Sequence, residues 1–215
     1  MKRIVAHGIT AFATFCVLCV RLRASTSLFL LLWHVPSLIT QCSVFVLLLL
    51  NLRNKPLHVE EKRSVFFAAL LSSNFSVFVS LFGGLFPFYG TAPIADLQIA
   101  GNIVNLLSMP FYLWALLTLG KGLAVLPEAC VLRTGGVYQI SRHPLYLTYI
   151  LWCLTQILIF QTVSVLIFSL CQITLYRFRA IYEEKVLADT FPEYTDYKNK
   201  VMWLGARKSA DALTV

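Results

Sequence analysis

Charged side chains are scarce: they make up 13% of the 215 residues, about half the share usual in soluble domains. A soluble fold of this size needs polar residues to cover its surface. The scarcity excludes an ordinary water-soluble globule and leaves lipid to cover part of the chain. Acidic residues are rarer still, 10 Asp and Glu against 18 Lys and Arg, for a formal net charge of +8. The basic excess forms no stripe with interleaved aromatics, so no nucleic-acid partner is expected. It reads instead as loop charge in contact with the headgroups of membrane lipids. Cys16, Cys19, Cys42, Cys153 and Cys171 lie in apolar segments, and Cys130 lies in a loop. The Cys16-x-x-Cys19 pair has no second pair nearby, so neither a redox motif nor a metal site is expected. Internal repeats and low-complexity tracts are absent, and the apolar runs carry no buried charge, which argues against a transporter.

What is present is a series of long apolar runs. Residues 4–20 approach, and 27–50, 64–88 and 98–120 exceed, the roughly 20 helical residues needed to cross a bilayer. Pro36 is a kink site in the second. The first run follows Met1-Lys2-Arg3 in the manner of a signal peptide, but Arg21 and Arg23 spoil the cleavage pattern, so a retained helix is expected. Residues 51–63 form a charged loop and 89–97 a loop with Asp96 as its charge. Residues 144–176 are uncharged. As one helix they would reach about 50 Å, against a hydrocarbon core of about 30 Å. Arg142 precedes them and Arg177 and Arg179 follow, which puts both ends on the positive, cytoplasmic side. A helical hairpin turning near Gln161-Thr162 is therefore expected. The resulting fold class is all-α, a polytopic transmembrane protein of about six spans with a C-terminal hairpin and a cytoplasmic amphipathic tail. Both termini and every basic residue except Arg21 and Arg23 then face the cytoplasm. Residues 1–97 form an N-terminal set of helices, 98–201 a catalytic core and 202–215 a tail.

Polar residues gather in 120–143 and 177–200, which flank the hairpin and meet when it folds. A polar site over an apolar base suits a substrate with a polar head and a greasy tail. The first segment holds Gly120-Lys121-Gly122, where glycines let backbone approach a ligand or simply turn. It ends in Ser141-Arg142-His143-Pro144-Leu145-Tyr146. Pro144 suits a first helical turn and biases His143 toward an extended conformation. The second segment holds Arg179, Glu183 and Glu184. Arg179 and Glu183, at i and i+4, can pair, with Glu184 about 100° further round. The bland alternative is a solvated helix with surface ion pairs. The sharper one is that the two carboxylates receive an ammonium group while an Arg receives a carboxylate, as a zwitterionic amino acid requires.

Gly136-Val137-Tyr138-Gln139-Ile140-Ser141-Arg142-His143-Pro144-Leu145-Tyr146, Arg179, Glu183-Glu184 and Phe191-Pro192-Glu193-Tyr194-Thr195-Asp196-Tyr197 resemble the isoprenylcysteine carboxyl methyltransferase family, which in turn resembles phospholipid methyltransferases. The resemblance covers about Leu117 to Val201. It implies S-adenosyl-L-methionine as cofactor in a cytoplasm-facing pocket. Tyr138, Arg142, His143 and Tyr146 would line that pocket, and Glu183 would bind the methionyl ammonium. Arg179 and Glu184 would stand at the methyl-transfer centre, with Gly120 and Gly122 near the cofactor. Thr148, Val137 and the ending Val201-Met202-Trp203-Leu204-Gly205 depart from the family pattern and bear on the acceptor more than on the cofactor. A prenylated cysteine, an aminophospholipid or a small hydrophobic thiol all fit as acceptor. Outside this class stand a sterol-type NADPH reductase and a non-enzymatic membrane protein. A carboxylate or thiolate acceptor needs no strong base, whereas an ammonium headgroup would give Glu184 a general-base role.

Overall fold

The computed structural model describes residues 4–6, 8–10, 12, 39, 42–51, 56–59, 62–82 and 94–204, with the side chains of 74–82 and 121 left aside. The runs expected to span at 4–20 and 27–50 therefore fall largely outside the described residues, as does Pro36. Helix α1 is Cys42–Asn51 and α2 is Arg63–Phe82. Helix α3 is Ala95–Leu119, α4 Pro144–Phe160, α5 Val163–Thr190 and α6 Tyr194–Lys200. Two of these, α3 and α5, are long and apolar enough to cross a membrane. Helix α4 has 17 residues, about 25 Å, a little short of a hydrocarbon core. Large apolar side chains stand exposed along α3 and α5, among them Ile99, Ile103, Leu107, Leu117, Ile167 and Leu170. A soluble monomer rarely exposes such a surface.

Three expectations change. The loop set at 89–97 is already helical from Ala95. The change of composition at 176/177 is no structural boundary, because α5 runs unbroken into the charged segment as far as Thr190. The fold is also not purely helical: His58–Val59 (β1) pairs antiparallel with Glu128–Ala129 (β2), His58 opposite Ala129.

The chain reverses between α4 and α5 for a local reason. Gln161 takes a left-handed conformation, φ 50° and ψ 38°, and its N–H bonds to the Ile157 carbonyl. Its side-chain amide meets Ile94 in both directions: Ile94 N–H donates to Oε1 at 3.0 Å and Nε2 donates to the Ile94 carbonyl at 3.1 Å. The same bonds fasten the start of α3 beside the reversal. Thr162 caps α5, its hydroxyl accepting from Val165 N–H.

Helix α3 lies against α4 at Gly101, where a Cβ would come within 2.9 Å of Ile159 and 3.2 Å of the Thr155 carbonyl. Further along, Trp152 Nε1 donates to Ser108 Oγ at 2.7 Å. Fully buried Tyr112 packs on Trp152 at 5.0 Å between ring centres. Helix α5 is tied to α2 by Gln172, whose amide donates to the Ser72 carbonyl at 2.7 Å. The larger core runs through Tyr112, Leu116, Leu145, Tyr194, Tyr197 and Val201. A second one holds Ala6, Leu48, Ala69, Val125 and Leu126.

Candidate active site

The site forms where the entry to α4 meets the charged end of α5. Pro144 opens α4, as its fixed φ and missing N–H favour. His143, just before it, sits at φ −130° and ψ 63°. Ser141 sets this corner: its Oγ accepts from His143 N–H at 3.2 Å and donates to the Trp203 carbonyl at 2.8 Å. Arg142 N–H donates to the Met202 carbonyl at 3.1 Å. The chain after α6 thus runs beside the corner, and Trp203 faces both His143 and Arg177, the latter 4.4 Å above its ring.

Glu184 is the hub of this corner. Arg142 Nη1 reaches both its oxygens at 3.2 and 3.3 Å, His143 Nε2 lies 3.1 Å from Oε1 and Lys198 Nζ lies 3.0 Å from Oε2. The side chains of Arg142 and His143 are 11% and 4% exposed, while that of Lys198 is 49% exposed. The first two contacts therefore bear most of the energy, and the Lys198 pair is screened by water. A carboxylate so fully engaged by donors is poorly disposed to act as a base.

Glu183, one residue back and turned about 100° away, faces α4 instead. Tyr146 O–H donates to its Oε2 at 2.8 Å. Its other oxygen has no hydrogen-bond partner among the described residues. The i, i+4 pairing of Arg179 with Glu183 does not form. Arg179 donates instead to Ser73 Oγ at 3.0 Å and to the Ala124 carbonyl. Its guanidinium also lies 5.7 Å over the Tyr146 ring. The sequence set pairing partners by helical spacing alone, and tertiary neighbours outcompeted them. Tyr146 in turn belongs to a ring cluster with Tyr149 and Tyr176, at 6.3 and 5.8 Å, which makes the apolar floor of the site.

Tyr138, on the 3-10 turn Gly136–Gln139, is held by its carbonyl, which accepts from Tyr197 O–H at 2.6 Å. Burial pushes the phenols of Tyr138, Tyr194 and Tyr197 well above their ordinary range, so all three are donors at neutral pH. Tyr194 Oη, Arg142 Nε and Trp203 Nε1 are buried with no hydrogen-bond partner among the described residues. Buried donors are seldom left unpaired, and two of these belong to side chains beside the Glu184 hub, Arg142 on Glu184 itself and Trp203 against His143. Such a set suits a ligand carrying both a cationic amine and acceptor oxygens.

The expected residues are therefore divided. Arg142, His143, Tyr146, Glu183 and Glu184 meet directly, with Arg179 over Tyr146. Gly120 and Gly122 form their own 3-10 turn at the end of α3. They join the cluster through the loop that follows, whose Ala124 carbonyl Arg179 holds. Gly120 sits at φ 49° and ψ −110°, a conformation that a side chain disfavours. Ser141, in the motif, Trp203, in the divergent ending, and Lys198 take part in the corner although their positions in the sequence implied no role for them. Lys198 adjoins the Tyr-x-x-Tyr motif, but nothing in its spacing pointed to Glu184.

The fold and site define a helical protein with an ionic polar centre set over an aromatic, apolar floor. Residues 97–189 match the isoprenylcysteine carboxyl methyltransferase family model, so the resemblance seen in the motifs holds for this region of the chain. Over 73 residues the chain is 42% identical to protein-S-isoprenylcysteine O-methyltransferase of Saccharomyces cerevisiae, covering 33% of this chain and 30% of that protein. The counterpart of the same name from Schizosaccharomyces pombe is 38% identical over 73 residues, 33% of this chain and 31% of its own. Protein-S-isoprenylcysteine O-methyltransferase B of Arabidopsis thaliana is 35% identical over 72 residues, 33% of this chain and 36% of its own. The match spans about a third of the length of the curated relatives.

Proposed function

We propose that the chain is an integral membrane methyltransferase that uses S-adenosyl-L-methionine to esterify the carboxylate of a prenylated cysteine. The observation that carries this reading is the meeting of Glu183–Tyr146 with the Glu184–Arg142–His143 cluster at one end of apolar helices. The cofactor would supply a methyl group already activated on a sulfonium. Glu183 binds the methionyl ammonium, oriented by Tyr146. Arg142, His143 and Tyr138 wall the pocket, and the Gly120–Gly122 turn brings backbone close to the cofactor.

Arg179 and Glu184 stand at the transfer centre. An acceptor carboxylate is already a nucleophile, so the main task is alignment and no base is required. That suits Glu184, whose oxygens are taken by Arg142, His143 and Lys198. Its role is to fix Arg142 and His143 in place. The acceptor's apolar tail lies among the helices, against Tyr149 and Tyr176, with its polar end toward Arg179. The catalytic face is cytoplasmic, by the distribution of basic residues.

The test uses the full chain in lipid nanodiscs with tritiated methyl donor. S-farnesylcysteine with a blocked amine, phosphatidylethanolamine and a hydrophobic thiol serve as acceptors. The expected product carries label that mild base releases as methanol, which marks a methyl ester. Label stable to base on the lipid or thiol would move the activity to N- or S-methylation. Calorimetry that registers NADPH and not S-adenosylhomocysteine would replace the methyltransferase reading with a reductase.

A further inference from the structure

The loop that follows the glycine turn is held by side chains from several other elements, α1, α2 and α5 among them. Asn51, the last residue of α1 and 3% exposed, donates from Nδ2 to the Gly120 carbonyl at 3.1 Å and to the Leu123 carbonyl at 2.9 Å. Both partners are acceptors, so the amide nitrogen and not its oxygen faces the turn. The Gly120 carbonyl also takes the turn's own bond from Leu123 N–H at 3.2 Å. One side chain thus spans the 3-10 turn from its first residue to the residue beyond it. Further on, Val125 and Leu126 are buried against Ala6, Leu48 and Ala69. The loop then ends in the pairing of β2 with β1, reinforced by Leu57 N–H to the Ala129 carbonyl at 2.8 Å.

Asn51, Leu57 and β1 all precede the region 97–189 that matches the family. We infer that Asn51 is a positioning residue for the cofactor, acting by bridging the Gly120 and Leu123 carbonyls so that the glycine turn keeps the shape that receives it. This rests on the methyltransferase reading above. The physical reason is that Gly120, at φ 49°, resists a side chain but allows many other conformations. A turn that depends on glycine needs an outside restraint, and α1 supplies it. The N-terminal helices are then part of the cofactor site.

The test compares the full chain with Asn51→Leu, which keeps the branched heavy-atom shape and loses both donors, and Asn51→Ser, which reaches at most one carbonyl. Hydrogen exchange over 120–126 reads the restraint directly and needs no ligand. Calorimetry with S-adenosylhomocysteine reads its consequence. Exchange is expected to rise and binding to weaken about tenfold in Asn51→Leu, with Asn51→Ser between it and the parent. KM for the cofactor should rise in step, while KM for the acceptor stays put. If Asn51→Leu loses its helical circular dichroism, the Asn51→Ser comparison decides the matter. Faster exchange with unchanged binding overturns the inference, as does an equal rise in both KM values. A parent chain that ignores S-adenosylhomocysteine overturns the functional reading itself, and this inference with it.

Discussion

Tyr146→Phe removes one oxygen and leaves the ring. The ring stays packed between His143 at 5.3 Å and Tyr176 at 5.8 Å, so the loss isolates the 2.8 Å bond to Glu183. A hydrogen bond to an ionised group is worth about 1.5–3 kcal/mol. Glu183 is only half-buried, which puts the figure near the lower end, about tenfold in S-adenosylhomocysteine affinity. Glu183→Gln should cost more, about a hundredfold, because it removes the charge that faces the ammonium. In the Glu183→Gln background Tyr146 still donates, to an amide oxygen, but a neutral bond is worth roughly half as much. The two substitutions should therefore be non-additive by at least about 0.5 kcal/mol in a double-mutant cycle read by calorimetry. Tyr176→Phe, a neighbouring ring with no bond to Glu183, is the control and should change affinity little. Strict additivity would show that Tyr146 and Glu183 do not act as one unit. A loss in Tyr176→Phe equal to that in Tyr146→Phe would assign the effect to ring packing.

Three further outcomes follow from the same geometry. Glu184→Ala strips the partner from buried Arg142 and His143 and should cost about 3 kcal/mol of stability; thermal inactivation in detergent would check it, with Lys198→Ala, at the exposed end, nearly silent. Gly101→Leu forces bulk into a 2.9 Å approach to Ile159 and should cost about 2 kcal/mol by overpacking, seen as a lower unfolding temperature and not as altered cofactor affinity at low temperature. Trp203→Ala removes the ring beneath Arg177 and frees the strap over Ser141. Proteolysis near 200–204 should quicken, while Trp203→Phe largely restores protection.

The sequence alone determined the elements that depend on local chemistry. The long uncharged runs at 98–120 and 144–176 read as apolar helices, and helices form there. Pro144 opens a helix because it lacks an N–H, and 144–176 divides at Gln161-Thr162, where a left-handed residue and an N-cap follow one another. The motif residues were legible because their order resembles that of a known family, whose model matches residues 97–189. Residue spacing could not say which partner each side chain chooses. Arg179 passed over Glu183 for Ser73 and the Ala124 carbonyl. Glu184, one residue along, gathered Arg142 and His143 from one stretch and Lys198 from another. Asn51, a lone polar residue at the end of an apolar run, gave no sign of its turn 69 residues away. Such choices depend on distances through space and on which competing donor is already buried, and those exist only once the helices have packed.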